Sequence, residues 1–288
     1  MGLTMASMAT AILWWRQLCS ELGLSGVGTT QGKLGEVAKQ RHSALINLFF
    51  SLLHELEIEL FMEIGAHEAG ASKHFVWQNK QGRAIAYEPA PAVFARTVES
   101  GIPERMEIHE CAVGARNGEI KFFQPTDARN QPMGSTRRRL GHVGGTPMEV
   151  TEVTASIITL KEAARRANPM DGRRTALWID VEGQALEVLS SGQSFLRDEV
   201  AAVYIEVQDF NSYEGSATSL EVLQLLLSLG FIPVARDNQH SDAFNLLVVH
   251  ESAYLQARET IAFWHRANSG IATVSNWLIE GNFGEATL

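Results

Sequence analysis

Five carboxylates stand at or beside the ends of short apolar runs: Glu63, Glu88, Glu110, Asp180 and Glu206. The strand ends of a parallel sheet share one edge, so acids placed there gather and repel one another unless something positive or rich in hydrogen-bond donors sits between them. One such acid is commonly no more than a solvated edge residue. An ordered series of them after glycine-spaced turns points instead to a ligand site. The anchor of the series is the stretch from Ile58 to Ser72, in which an apolar run reaches Glu63 and passes through Gly65, Ala66 and His67 to Gly70. It reads as strand, tight turn and helix, the arrangement in which backbone amides at a helix start meet a ligand.

Spacing narrows the ligand. Gly65 and Gly70 have the separation of a phosphate-binding loop, but Ala71 and Ser72 follow where lysine and a hydroxyl residue are needed. A dinucleotide turn needs a second glycine two positions after the first, and that position holds His67. A nucleoside ligand without a pyrophosphate remains, and Glu63 suits one carrying positive charge. S-adenosylmethionine has both features. In this reading Glu88, about 20 residues beyond the turn, accepts bonds from the ribose hydroxyls. Glu63 holds the turn and orients the methionine amino group. Cys111, Ala112 and Val113 border the adenine, Pro89 follows the ribose acid, and Asp180 lies beside the reacting methyl. Transfer to a hydroxyl also needs a base, for which the order of preference is Asp180, then Glu206 or Glu182, then His67. A magnesium-like ion held by Asp180, Glu182, Glu206 and Asp209 is a secondary, unfavoured option, and none of the nine histidines falls in a zinc pattern.

The elements that must position these groups follow an alternating pattern of short apolar strands and helical stretches, as in a doubly wound α/β fold. Strands are expected near Ile58–Ile64, Arg83–Tyr87, Met106–Cys111, Gly118–Phe123, Val150–Leu160, Thr175–Ile179 and Val200–Ile205. The last two, Phe231–Ala235 and Phe244–Val249, read as an antiparallel hairpin. Helices are expected at Ser72–Gln78, Pro91–Val98, Lys161–Ala167 and Ser219–Leu229. Ahead of the first strand, Leu24–Gly35 reads as a loop, and apolar residues from Leu34 to Leu56 recur at helical spacing. The chain thus divides into an N-terminal helical extension (1–56), a Rossmann-like domain (57–250) and a C-terminal helical segment (251–288) anchored by Trp264 and Trp277. The polar stretch Gln124–Thr146 is a candidate lid whose Arg137, Arg138 and Arg139 can grip an anionic acceptor.

Bulk properties fit a soluble domain: 288 residues, 45% hydrophobic, 20% charged, net charge −9. That charge argues against broad binding to nucleic acid or anionic membranes and favours small-molecule partners. Met1–Trp15 is too short for a spanning helix, and Cys19 and Cys111 have no disulfide or metal spacing, so a cytoplasmic setting is expected. The N-terminal helices can cover an acceptor pocket or form a homodimer contact.

Four segments together resemble the FkbM-type S-adenosylmethionine-dependent methyltransferases: the turn from Glu63 to Gly70, Tyr87-Glu88-Pro89, Ala112-Val113-Gly114 and, above all, Ile179-Asp180-Val181-Glu182-Gly183 with Glu187, Leu189 and Glu206 downstream. The resemblance spans about Glu63 to Val249. It implies a class I methyltransferase fold and O-methylation of a sugar or polyketide-type hydroxyl in natural-product or polysaccharide tailoring. Gly134-Ser135 falls where that family carries a small loop, which implies a substrate-side role for Ser135. The chain departs from the family at His67, where asparagine is common, and in its N-terminal extension. Two other classes compete: a binding or assembly protein that has kept the scaffold without turnover, and another nucleotide-dependent Rossmann enzyme. An RNA methyltransferase is disfavoured by the net charge.

Overall fold

A computed structural model describes residues 33–125, 134–136, 149–169, 174–208, 213–237 and 243–268. The expectations for Met1–Trp15, for the part of the lid with Arg137, Arg138 and Arg139, and for Asp209 and Trp277 lie outside the described residues.

The first helix among the described residues, α1 (Lys33–Glu55), leads into β1 (Leu60–Ile64), α2 (Gly70–Gln78), β2 (Arg83–Tyr87), α3 (Pro91–Glu99) and β3 (Met106–His109). Next come β4 (Ala112–Gly114), β5 (Gly118–Pro125), β6 (Val150–Thr159), α4 (Leu160–Ala167) and β7 (Thr175–Ile179). The last third holds α5 (Ala185–Ser190), α6 (Gln193–Glu199), β8 (Val200–Gln208), α7 (Ser219–Ser228), β9 (Phe231–Arg236), β10 (Ala243–His250) and α8 (Glu251–Ala267).

Seven strands form the main sheet in the order β3-β2-β1-β7-β8-β10-β9. Pairing is parallel from β3 through β8, and β10 runs antiparallel to both β8 and β9. The expected C-terminal hairpin is therefore present. The order reverses at β1, whose neighbours are β2 on one side and β7 on the other. Ligands of open α/β sheets bind in the crevice beyond the strand ends at such a point.

Both faces are covered, which is why β7 and β8 are apolar at nearly every position and not alternating. On one face, Leu45, Leu48, Phe49, Leu52, Leu53 and Leu56 of α1 form an apolar stripe joined by Phe75 and Val76 of α2 and Ala257 and Ile261 of α8. Phe49 meets Trp178 and Tyr204 at centroid distances of 5.9 and 5.5 Å, and those two rings stack at 3.9 Å. Trp264 of α8 donates its indole N–H to the Ala44 carbonyl at 2.7 Å, the packing role expected of it. The other face is closed by Leu160, Val188, Leu189, Leu196, Val222 and Leu226 from α4, α5, α6 and α7.

Two expectations change. The helix begins at Lys33, so the last residues of the expected Leu24–Gly35 loop are helical. Met106–Cys111 does not run as one strand: β3 stops at His109, and Ala112–Gly114 joins a separate three-stranded sheet of order β4-β6-β5. The alternation of Val150–Thr159 serves that second sheet, with β6 parallel to β4 and antiparallel to β5. Residues Ala90 and Val93, at the head of α3, pack on it through Phe122 and Ala155.

Candidate active site

At the reversal point the chain leaves β1 through Gly65, whose φ of +80° is open to glycine at little cost. Space demands glycine there as well, because a Cβ would stand 1.8 Å from the Asp180 carbonyl oxygen at the end of β7. The N–H groups of Gly65 and Ala66 both donate to the Tyr87 carbonyl at 3.0 Å, which ties the turn to β2. His67 and Ala69 then take left-handed conformations, φ +46° and +55°. Such backbone is costly for residues with a Cβ and persists only where its surroundings hold it. Here the hold is visible: the His67 N–H donates to Glu88 Oε2 at 2.7 Å, and Thr97 Oγ1 donates to the His67 carbonyl at 3.2 Å.

Glu63 and Glu88 brace this turn from opposite sides. Glu63, 4% exposed, accepts from the Ser72 N–H at 2.7 Å and the Ala71 N–H at 3.3 Å, so it caps the start of α2 and does not line the cavity. Glu88 accepts from His67 N–H and, on Oε1, from Ala90 N–H at 2.8 Å, while still facing the cavity. Burial pushes both carboxyls up to about 7. Asp180 is also pushed up to about 7, by burial first and then by the charge of Glu182.

The cavity above the turn measures about 250 Å³. Gly65, His67, Glu88 and Pro89 form one wall, and Ala112, Val113 and Phe122 form an apolar one. Gly134, Ser135 and Thr136 cross it, and Asp180, Val181, Glu182 and Gln184 close the far side. Ser135 is pinned at both ends. Its backbone pairs with Phe123 at 2.7 and 3.1 Å, and its hydroxyl donates to the Glu182 carbonyl at 2.6 Å. One carboxylate oxygen from each of Asp180, Glu182 and Glu206 lies within 4.8 Å of the others. The Tyr213 hydroxyl donates to Glu182 Oε2, and Glu182 itself has a φ of +35°.

Of the expected site residues, the cavity brings together Gly65, His67, Glu88, Pro89, Ala112, Val113, Ser135 and Asp180, with Glu182. Glu206 joins through its cluster with Asp180. His67, half-buried with its imidazole pKa lowered by burial, stands on the Glu88 wall and is not part of that cluster. Ala66 is buried in the turn and Gly70 opens α2, and neither lines the cavity. Cys111 packs in the core under the Ala112–Val113 wall, where its thiol is pushed up by burial, and Glu110 is exposed outside the cavity. Phe122 of the second sheet, Thr136 and the α5 N-cap Gln184 escaped the sequence reading, since nothing local marks any of the three as part of this cavity. His42 of α1 also escaped it. Its Nδ1 donates to Asp237 Oδ2 at 2.8 Å across 195 residues of sequence.

Three solved structures with bound cofactor or product are similar at low identity. Magnesium protoporphyrin IX methyltransferase from Synechocystis PCC 6803 with bound S-adenosylhomocysteine is 9% identical, with 84% of this chain and 95% of that one covered and a TM-score of 0.42. A putative tRNA (m1A22) methyltransferase from Streptococcus pneumoniae, in complex with S-adenosyl-L-methionine, is 13% identical over 72% of each chain, TM-score 0.41. The 1,6-didemethyltoxoflavin-N1-methyltransferase of Burkholderia thailandensis is 12% identical over 87% of this chain and 92% of that one, TM-score 0.36. No curated protein matches the sequence. The profile of the methyltransferase FkbM domain matches residues 63–233, from the acid at the end of β1 into β9. The strand order, the cavity at its reversal point and this match agree, and the chain belongs to the FkbM family of S-adenosylmethionine-dependent methyltransferases.

Proposed function

We propose that the chain transfers the methyl group of S-adenosylmethionine to a hydroxyl oxygen of a small, sugar-like or polyketide-like acceptor. The observation that carries this reading is the cavity at the β1/β7 reversal, which joins a buried carboxylate and an apolar wall at one end to Asp180 at the other. Glu88, already oriented by two backbone N–H groups, has lone pairs left for the two ribose hydroxyls. Ala112, Val113 and Phe122 offer apolar contact to the adenine, and the Gly65 turn offers close backbone approach to the methionine end. Asp180 then sits beside the sulfonium, where a carboxylate is favoured by the positive charge.

Methyl transfer is an in-line displacement, so the protein mainly aligns acceptor oxygen, methyl carbon and sulfur. The carbon–sulfur bond breaks with its electron pair kept by sulfur, the carbon–oxygen bond forms, and the hydroxyl proton passes to Asp180 or, next in order, to Glu206 or Glu182. His67, on the ribose wall, is the weaker candidate base. Burial that lifts the Asp180 carboxyl to about 7 makes it a better proton acceptor near neutrality. Arg137, Arg138 and Arg139, outside the described residues, complete the proposal as a grip for an acidic group on the acceptor.

Calorimetry with S-adenosylmethionine and S-adenosylhomocysteine tests the reading, on the wild type and on Glu88→Ala. Micromolar binding that weakens by about 100-fold or more in the variant is expected, because one side chain serves both ribose hydroxyls and the turn. A folded wild type that binds neither compound would refute the assignment. Cofactor binding with no transfer to any hydroxylated acceptor would favour a scaffold without turnover.

A further inference from the structure

The side chains of Ala112, Val113 and Phe122 suit the faces of an adenine ring but offer no hydrogen bond to its polar edge. Two residues beside that wall have hydrogen-bonding capacity to spare. Gln184 is 8% exposed and lines the cavity. Its backbone is engaged, the N–H donating to the Val181 carbonyl at 3.1 Å and the carbonyl accepting from the Val188 N–H at 3.0 Å, but its side-chain amide has no hydrogen-bond partner among the described residues. A Cβ at Gly114, the residue after Val113, would stand 3.8 Å from Gln184 Oε1, so the amide lies against the end of the apolar wall. Thr136 supplies the second group. Its Oγ1 is buried without a partner among the described residues, and the residue lines the same cavity. Ser135, bonded to Phe123 and to the Glu182 carbonyl, holds Thr136 close to the strand that carries Phe122. Amide and hydroxyl groups kept from water without partners are costly. A ligand with complementary groups at this edge of the cavity removes both costs.

We propose that the Gln184 amide and the Thr136 hydroxyl read the edge of the adenine and set the preference for that base. A primary amide presents an acceptor and a donor side by side, the complement of the exocyclic amino group and N7 of adenine. Gln184 Oε1 accepts from the amino group, Nε2 donates to N7, and the Thr136 hydroxyl donates to a remaining ring nitrogen. Replacing the amino group by a carbonyl oxygen, as in hypoxanthine, puts two acceptors before the amide, and no rotation of the amide satisfies both. One polar atom is then left unpaired in a site shielded from water, the circumstance in which discrimination is strong. The inference rests on S-adenosylmethionine occupying this cavity, and it adds to the ribose contact of Glu88 a contact that depends on the base.

Calorimetry on the full chain compares S-adenosylhomocysteine with S-inosylhomocysteine, its deaminated analogue, for wild type, Gln184→Met, Thr136→Val and Thr136→Ser. Wild type should bind the adenine compound about tenfold or more tightly than the inosine compound. Gln184→Met, close in length but without the amide, should lose about tenfold for the adenine compound and bind the two compounds within about twofold of each other. Thr136→Val should lose about threefold or more, and Thr136→Ser should recover it. The ratio of the two affinities separates base reading from a structural role, because a loosened cavity lowers both together. A wild type that binds the two alike overturns the inference, as does a Gln184→Met variant that keeps the wild-type ratio. Should Gln184→Met fail to fold, Thr136→Val decides: an affinity for the adenine compound equal to that of wild type overturns the inference, and a loss recovered in Thr136→Ser supports it. A folded wild type that binds neither compound defeats the cofactor reading itself, whereas tight binding of both without discrimination defeats this inference alone.

Discussion

Glu63 and Glu88 are buried acids whose backbone bonds do not fully offset the loss of water, so each prefers the protonated form at a pH where a free glutamate is ionised. Their folded values lie above the unfolded one. The stability they contribute is therefore complete below about 4.5 and is lost as pH rises through about 7, by about 3 kcal/mol each as an upper estimate. Without cofactor, the melting temperature should fall between about pH 5 and pH 8. Ribose hydroxyls donating to Glu88 favour its ionised form, so S-adenosylmethionine should bind up to about tenfold more tightly at pH 8 than at pH 6. Calorimetry at the two pH values, repeated on Glu88→Gln, checks this. An equal pH effect in the variant would assign the proton to another group. At this scale the sequence was informative where an acid follows a strand and precedes glycine, as at Glu63, Glu88 and Asp180. It was silent on the division of labour, because whether Glu63 meets the ligand or caps α2 depends on where Ala71 and Ser72 turn their N–H groups.

Among the elements, α1 is more than an extension, since its apolar stripe supplies much of one core face. His42 and Phe49 are seven residues apart, two helical turns, so they share the face that meets β7 and β8. The bond from His42 to Asp237 ties α1 to the end of β9. Asp237 is fully buried and also accepts from the Asn245 N–H at 2.7 Å and the Asn245 side-chain amide at 2.8 Å. Replacing Asp237 by alanine strands three donors and should cost about 3 kcal/mol, whereas His42→Ala leaves Asp237 its two bonds to Asn245 and should cost about 1 kcal/mol. Urea unfolding of both variants measures the difference. Equal losses would mean that Asp237 is not the hub. Periodicity alone located α1, because Leu45, Leu48, Phe49 and Leu52 repeat at helical spacing. The pairing of His42 with Asp237 left no such trace, since two polar residues so far apart in sequence carry no pattern that joins them. The second sheet was hidden for a related reason: alternation in Val150–Thr159 announces a strand with one buried face but does not say which strands lie beside it.

For the whole molecule, the strand order and the match over residues 63–233 make the architecture the best-read part of the sequence. Runs such as Thr175–Ile179 and Val200–Ile205 are too apolar to lie anywhere but inside a sheet covered on both faces. The position of β1 inside the sheet has a kinetic consequence. Its two partners begin at Arg83 and Thr175, so one edge of the strand is satisfied early in synthesis and the other only after more than half the chain has been made. Non-local parallel pairing of this kind is slow and leaves an open strand edge exposed to aggregation in the interval. The Gly65 turn rests on the Asp180 carbonyl, so the ligand cavity has no far wall until β7 has docked. A chain ending at residue 170 should therefore show helical signal by circular dichroism yet fail to retain S-adenosylmethionine. Growing chains released at successive lengths should gain cofactor retention only once β7 and its following turn have left the ribosome, which makes the ligand a reporter of finished assembly.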